Sequence, residues 1–231
     1  MQTSDLVLVR GLADTRATLS SWNERPGPIV GRWVAGALAI SALLLCAVWL
    51  VAVQSEPDLG NSFFGVLASP DSGHVLHVLM RNSLVLALHG FACVAGFIAG
   101  SSLPREAERY SGAWRWIHDK AGPLAIAFVA GATAFSLITQ AYVLGQGASS
   151  LAWQLDISPG LLLVGLLPHA LPELVALFLP LAAWMIASRR KDWHELLAAT
   201  LITVVLAIPV LVAAAFIEVY VTPGLLRSLA G

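Results

Sequence analysis

The chain has 231 residues, of which 58% are hydrophobic and only 12% are charged, and its net charge is −1. Soluble globular domains are about half apolar and about a quarter charged, so this chain has too little polar surface to cover a body in water. The excess of apolar surface predicts a membrane protein, and the near-neutral charge argues against nucleic acid as a partner.

Five apolar stretches are long enough to cross the roughly 30 Å hydrocarbon core of a bilayer as helices. They predict an all-α, polytopic helical bundle of five transmembrane spans, with residues 33–231 as the membrane domain. We expect residues 1–32 to form a cytoplasmic segment whose apolar residues fit an amphipathic helix at the membrane surface. In chain order, the predicted spans are residues 33–53, 82–101, 123–145, 159–188 and 196–221.

Segments rich and poor in basic residues alternate along the chain, and basic residues favour the cytoplasmic side of a membrane. The amino-terminal segment, the second loop and the fourth loop are rich. The first loop, the third loop and the carboxyl-terminal tail hold one basic residue or none. This alternation predicts a cytoplasmic amino terminus and an external carboxyl terminus in the cell membrane. The basic residues of the rich segments are Arg10, Arg16, Arg25, Arg32, Arg105, Arg109, Arg115, Lys120, Arg189, Arg190 and Lys191.

The fourth span carries Pro168, His169, Pro172 and Glu173 within one short stretch. Each proline removes a backbone donor, and its ring crowds the carbonyl four residues earlier. The two prolines therefore predict a break or an unwound turn between about residues 165 and 172. Non-helical backbone at membrane depth is tolerated only where it is buried in protein or lines a wet cavity. We expect His169 and Glu173 beside this break, near the middle of the bilayer.

Polar side chains within the spans are costly in hydrocarbon, so each needs a partner or a function. Counting from the span ends predicts a buried polar cluster in the outer half of the bilayer and near its middle. Hydrogen bonding between helices is a sufficient role for Asn82, His89 and Gln140, whereas a carboxyl group adds little to such bonding. Structural and ligand-binding roles therefore both stay open for the cluster. Its expected members are Asn82, His89, Gln140, His169, Glu173 and Glu218.

Small residues favour close helix packing, and Gly96 and Gly100 form a GxxxG pair in the second span, with Gly145 at the end of the third. His169 and Glu173 stand four residues apart, but the His-Glu-x-x-His motif of zinc proteases is absent. No motif for a serine nucleophile is present either. We therefore expect no enzyme, no catalytic residue, no metal ion and no cofactor.

Four features form a recognisable pattern between about residues 75 and 225. They are Arg81-Asn82-Ser83-Leu84, the glycines at 96, 100 and 145, and two longer motifs. The longer motifs are Leu166-Leu167-Pro168-His169-Ala170-Leu171-Pro172-Glu173-Leu174 and Ala215-Phe216-Ile217-Glu218-Val219-Tyr220-Val221-Thr222-Pro223. In this pattern the sequence resembles the stage II sporulation protein M family of multi-spanning membrane proteins. It departs from the family at Ala170, which is commonly glycine, and at Ser83, which is often a second asparagine.

The resemblance implies a non-enzymatic role. The sporulation member looks like a membrane anchor that recruits peptidoglycan-degrading partners, and relatives in non-sporulating organisms are similar to components of other membrane assemblies. We therefore expect a scaffold or accessory subunit of a complex that remodels the cell envelope. The alternative is a subunit that translocates a small molecule, ion or lipid through the polar site around Glu173. The expected partners are the lipid bilayer and other membrane or envelope proteins, with further copies of the chain as the alternative.

Overall fold

A computed structural model describes residues 7–58, 71–102 and 111–231 of the chain. Nearly all of these residues are helical, and no strand is found among them. Five helices in this part of the chain are long and apolar enough to cross a membrane, which confirms the predicted all-α fold with five spans. Two arginines used to predict the orientation, Arg105 and Arg109, lie outside the described residues, as does the side chain of Arg10.

Helix α1 precedes the first span, helices α2 to α6 are apolar enough to span the membrane, and helix α7 follows the last span. The bounds are Val7–Asn23 for α1, Pro26–Gln54 for α2, Ser72–Phe97 for α3, Gly112–Gln154 for α4, Pro159–Arg190 for α5, Leu196–Phe216 for α6 and Thr222–Leu229 for α7. A π-helical turn, Ile98–Ser102, extends α3, and a second one, Ile217–Val221, joins α6 to α7. A 3₁₀ turn, Trp193–Glu195, precedes α6.

Helix α5 is continuous across Pro168 and Pro172, so the break predicted in this span is wrong. A proline leaves the carbonyl four residues earlier without its intrahelical donor. The two prolines are four residues apart, so the affected carbonyls, those of residues 164 and 168, lie on one face of the helix. The other faces keep their hydrogen bonds, and prolines of this kind are tolerated in spanning helices.

Two spanning helices end with a residue in the left-handed αL conformation. Asp156 after α4 has a φ of 54°, and Lys191 after α5 has a φ of 62°. In both turns the amide of the next residue, Ile157 or Asp192, donates to the carbonyl five positions earlier. These hydrogen bonds are those of the Schellman motif, in which glycine is the usual αL residue. A long side chain at that position costs about 1 kcal/mol or more, whereas aspartate is better tolerated there, so the turn at Lys191 is the one held under backbone strain.

The chain divides into two compact units, and each spanning helix contributes one segment to each unit. Unit 1 consists of Met1–Ala37, Val85–Ala132 and Phe178–Leu206. Unit 2 consists of Leu38–Leu84, Thr133–Leu177 and Ala207–Gly231. Buried apolar side chains are found in the described residues of both units, so each unit has its own core.

In unit 1, tryptophan rings pack on glycines. A Cβ atom added at Gly96 would lie 2.6 Å from Nε1 of Trp184, and one added at Gly100 would overlap the ring of Trp193. The GxxxG pair of the second span therefore accommodates two indole rings, whereas glycine pairs of this kind usually admit a neighbouring helix backbone. The glycines are needed because any larger residue would push the rings away.

In unit 2, the first turns of α3 are part of the core. The helix begins at Ser72, well before the predicted start of the span, and Val75 and Val78 are buried against Ala215 and Val219. Burial of an aliphatic side chain contributes about 1.5–3 kcal/mol, which stabilises helix here although the residues before the span are less apolar. Helix length is therefore set by packing as well as by the thickness of the hydrocarbon.

Helix α4 contacts α2 in unit 2 through its carboxyl-terminal half. A Cβ atom added at Gly145 would lie 2.5 Å from Cβ of Val51 and 2.9 Å from the carbonyl oxygen of Val48. One turn further along, the hydroxyl of Ser149 donates a 2.8 Å hydrogen bond to the carbonyl of Ser55. The absence of a side chain at position 145 thus permits close helix contact, as the sequence predicted for a small residue.

The middle of α4 is far less buried than the other spanning helices. Only 6% of the residues in its most apolar stretch are buried, against 22–39% for the other four. Its exposed large side chains include Leu124, Phe128, Phe135 and Ile138. This surface is available to lipid or to another membrane helix.

Candidate functional site

Three helical segments bring ionisable side chains together in unit 2. Arg81 and Asn82 lie on α3, His169 and Glu173 stand one turn apart on α5, and Glu218 lies in the π-turn after α6. Residues four apart share a face of a helix, so His169 and Glu173 point the same way. We call these five residues the unit 2 polar cluster.

Arg81 links the cluster electrostatically. Its guanidinium group is close enough to act on His169, Glu173 and Glu218, and the two carboxyl groups also act on each other. Arg81 itself is exposed, whereas His169 and Glu173 are buried and Glu218 is half-buried. The cluster therefore has two carboxyl groups for one guanidinium group, and that guanidinium group, on Arg81, lies at the exposed edge of the cluster.

Two polar atoms of the cluster are buried without a hydrogen-bond partner among the described residues. They are Nδ2 of Asn82 and Oε2 of Glu218. The Asn82 amide, which is only 2% exposed, lies within reach of the Glu173 carboxyl group but does not meet it in well-formed hydrogen-bond geometry. Buried polar atoms are usually paired, so these two mark the part of the cluster with unused hydrogen-bonding capacity.

His169 is held by a hydrogen-bonded chain. Its Nδ1 lies 2.8 Å from Oγ1 of Thr222, and the same hydroxyl lies 3.2 Å from the carbonyl oxygen of Ile217. A hydroxyl carries one proton, so it can donate to the carbonyl only while it accepts from the imidazole. Both contacts together make Nδ1 of His169 the donor to the Thr222 hydroxyl.

The π-turn that carries Glu218 has a local cause in the sequence. Pro223 has no amide hydrogen, and its ring crowds the carbonyl of Val219 four residues earlier. The amide of Thr222 donates to the carbonyl of Ile217, five residues back, as in a π-helix. Turns of this kind widen a helix and are frequent at functional sites.

The remaining predicted members of the cluster have other surroundings. Gln140 is half-buried, and its Nε2 donates a 3.0 Å hydrogen bond to Ser136 one turn earlier on α4. His89 belongs to unit 1, where its ring contacts Phe178 edge-on with the ring centroids 5.7 Å apart.

Sequence reasoning missed two participants, Arg81 and Thr222. The first was counted as a loop residue because the predicted span began at Asn82. Thr222 was placed just beyond the last span. The Arg81-Asn82 pair and the Thr222-Pro223 pair were the available signals, since both belong to the family pattern.

The cluster can donate, accept and share protons among carboxyl, imidazole and hydroxyl groups. No group of three or more His, Cys, Asp or Glu side chains in the described ranges is arranged to hold a metal ion. Described residues line a cavity in each unit, and no member of the cluster lines either of these two cavities.

Spanning helices that enclose buried carboxyl, imidazole and amide groups define a polytopic, multi-pass membrane protein of the helical class. The sequence model of the family described as stage II sporulation protein M matches residues 37–223, a stretch that includes the whole unit 2 polar cluster. The chain belongs to this family, which confirms the resemblance seen in its motifs. No curated protein and no solved structure matches the chain.

Proposed function

We propose that the protein is a non-enzymatic scaffold or accessory subunit of a membrane-associated complex that remodels the cell envelope. The observation that carries this proposal is the burial of three members of the unit 2 polar cluster. Asn82, His169 and Glu173 are only 2%, 8% and 9% exposed. A transport or catalytic site needs a path for its ligand, whereas a buried polar network that holds helices together does not.

The sparsely buried middle of α4 supports the same proposal. Spanning helices associate in lipid through van der Waals packing and small residues, since lipid tails are as apolar as leucine. Gly131 lies in this stretch, is exposed, and has no atom within 4 Å of an added Cβ. We infer that this surface contacts a membrane or envelope protein, with a second copy of the chain as the alternative partner.

The test is affinity purification after cross-linking in native membranes. We expect a distinct membrane or envelope protein to be recovered with the wild-type chain, and we expect Gly131→Leu to reduce its recovery. Gly224→Leu is the matched control, because Gly224 is also exposed and also has free space around it. Recovery of the chain alone would contradict the scaffold proposal, and equal recovery with both variants would contradict the role of α4.

The proposed orientation has a cytoplasmic amino terminus and an external carboxyl terminus, because basic residues favour the cytoplasmic side. Exposed residues flank α2 at both ends, Glu24 before it and Glu56 after it. In a background with Cys46→Ala and Cys93→Ala, we expect an impermeant thiol reagent to label Glu56→Cys in intact cells. It should label Glu24→Cys only after permeabilisation, and the opposite result would reverse the proposed orientation.

A second candidate function is translocation of a small molecule, ion or lipid through the unit 2 polar cluster around Glu173. It is favoured by one observation, the unpartnered Oε2 of Glu218 inside a π-turn, next to the carboxyl group of Glu173. Two ionised carboxylates facing one guanidinium leave a negative charge uncompensated in an apolar site, which is costly. A proton or a small cation would neutralise it. This candidate requires the titratable group at Glu173, whereas the scaffold does not.

A further inference from the structure

A small cavity in unit 1 is surrounded by two positive and two negative side chains. Its volume is about 100 Å³, and its charged lining consists of Arg32, Arg190, Asp192 and Glu195. One water molecule needs about 10–15 Å³ of such volume, so there is room for a small polar group. The four charges sum to zero, and the cavity lies between them.

Separate elements hold the four charged groups around the cavity. Arg32 lies near the start of α2, where its Nε donates a 3.0 Å hydrogen bond to the carbonyl of Pro28 and leaves the terminal nitrogens of the guanidinium available. Arg190 ends α5, Asp192 follows the αL turn, and Glu195 closes the 3₁₀ turn before α6. The arrangement therefore depends on helix ends that are fixed by the backbone.

Two tryptophans form part of the apolar lining. Trp22 of α1 and Trp33 of α2 pack edge to face, with ring centroids 5.2 Å apart and an interplanar angle of 71°. Indole rings and basic side chains at the ends of spanning helices are typical of the membrane–water interface. The cavity lies where α2 begins and α5 ends, which is the depth at which lipid headgroups are found.

The charge pattern discriminates between ligands. Glu195 interacts electrostatically with both Arg32 and Arg190 and also with Asp192. A simple anion would be attracted by the two guanidinium groups but repelled by the two carboxylates. A simple cation would be attracted by the carboxylates but repelled by the guanidinium groups. A ligand with one phosphate and one primary ammonium group a few bonds apart satisfies both pairs. Choline headgroups fit less well because a quaternary ammonium has no hydrogen to donate to a carboxylate.

We propose that this cavity binds the phosphoethanolamine headgroup of an aminophospholipid. Arg32 and Arg190 hold the phosphate, and Asp192 and Glu195 hold the ammonium group. Arginine is suited to phosphate because its planar fork donates two parallel hydrogen bonds. Trp22 contributes an apolar wall next to the start of the acyl chains. The site is independent of the scaffold proposal, since it uses unit 1 residues alone.

The test is native mass spectrometry of the full-length protein in detergent micelles doped with one lipid at a time. We expect phosphatidylethanolamine to be retained about tenfold more strongly than phosphatidylglycerol or phosphatidylcholine. Of the three headgroups, only ethanolamine has an ammonium group that can donate charge-assisted hydrogen bonds to the two carboxylates. Glu195→Gln should reduce retention of phosphatidylethanolamine about tenfold and leave phosphatidylglycerol unchanged or better retained. Arg190→Gln should weaken the retention of both lipids.

The matched control is Arg189→Gln, because Arg189 is an exposed neighbour of Arg190 that does not line the cavity. It should behave as the wild type. Equal retention of the three lipids by the wild type, or an Arg189→Gln effect as large as that of Arg190→Gln, would overturn the proposal. Soluble glycerophosphoethanolamine separates the two sources of the headgroup. If it binds as tightly as the lipid, the ligand is a soluble phosphoethanolamine compound and the lipid assignment is wrong.

Discussion

The contact between α4 and α2 depends on a single missing side chain, and replacing it should have a measurable effect. Gly145→Ala places a methyl group 2.5 Å and 2.6 Å from Cβ and Cγ1 of Val51, and 2.9 Å from the carbonyl oxygen of Val48. Carbon atoms in contact are normally about 3.5–4.0 Å apart. None of the three neighbours is the far end of a flexible side chain, so the helices themselves must separate.

The size of the effect follows from known costs of overpacking, about 1–3 kcal/mol for an extra methylene forced into a packed interior. Gly131→Ala on the same helix is the matched control, because nothing lies within 4 Å of the added Cβ. There the substitution only reduces backbone freedom in the unfolded state, which stabilises a helix by about 0.5–1 kcal/mol. For a chain of this length, about 1 kcal/mol corresponds to about 2–4 °C in Tm.

The assay is thermal unfolding of both variants in one detergent, followed by monodispersity after heating. We expect Gly145→Ala to lower the apparent Tm by about 2–12 °C and Gly131→Ala to raise it by about 1–4 °C. If Gly145→Ala unfolds at the wild-type temperature, or if the two variants shift together, α4 does not pack on α2 as described.

Two further predictions concern local structure. Thr222→Val removes the hydroxyl that bridges His169 to the π-turn, so we expect the free energy of unfolding to fall by about 1–3 kcal/mol in the same thermal assay. The control is Thr139→Val at an exposed position, which should change the stability little. Equal effects of the two substitutions would mean that the hydrogen-bonded chain does not stabilise the protein. Lys191→Gly relieves the αL strain after α5, and the backbone freedom that glycine adds to the unfolded chain offsets about 0.5–1 kcal/mol of this gain. The variant should therefore raise the apparent Tm by about 1–4 °C, and a lower Tm would show that this αL turn is not strained.

Much of the fold could be predicted from the sequence, because spanning helices are dictated by length and hydropathy. The hydrocarbon leaves no other partner for backbone groups, so five long apolar runs become five helices. The prediction failed at Pro168 and Pro172, where spacing by one turn confines the lost hydrogen bonds to one face. It also underestimated the length of α3, which begins before the predicted span. The helix is longer because Val75 and Val78 are buried by tertiary contacts, which the length of an apolar run does not reveal.

The candidate site was predicted less completely. Glu173, His169 and Asn82 were identified because polar groups inside spans are rare and costly, and the structure brings them together in unit 2. Arg81 and Thr222 escaped because each lies at the end of a span, where polar residues are ordinary. The partners of the glycines could not be read from a GxxxG spacing, which specifies a gap but not the ring or backbone that fills it.

The substitution Glu173→Gln separates a scaffold from a translocating subunit, because it keeps the shape and hydrogen bonding of the side chain while removing its titratable group. A structural network loses at most about 1–2 kcal/mol on such changes, so the variant should reach the membrane with near wild-type monodisperse yield. Glu173→Leu, which removes the hydrogen bonds as well, should give a lower yield. If the protein is a scaffold, the Glu173→Gln protein should still co-purify with its partner and still support activity in cells. A well-folded, partner-bound Glu173→Gln protein without activity would contradict the scaffold and favour translocation.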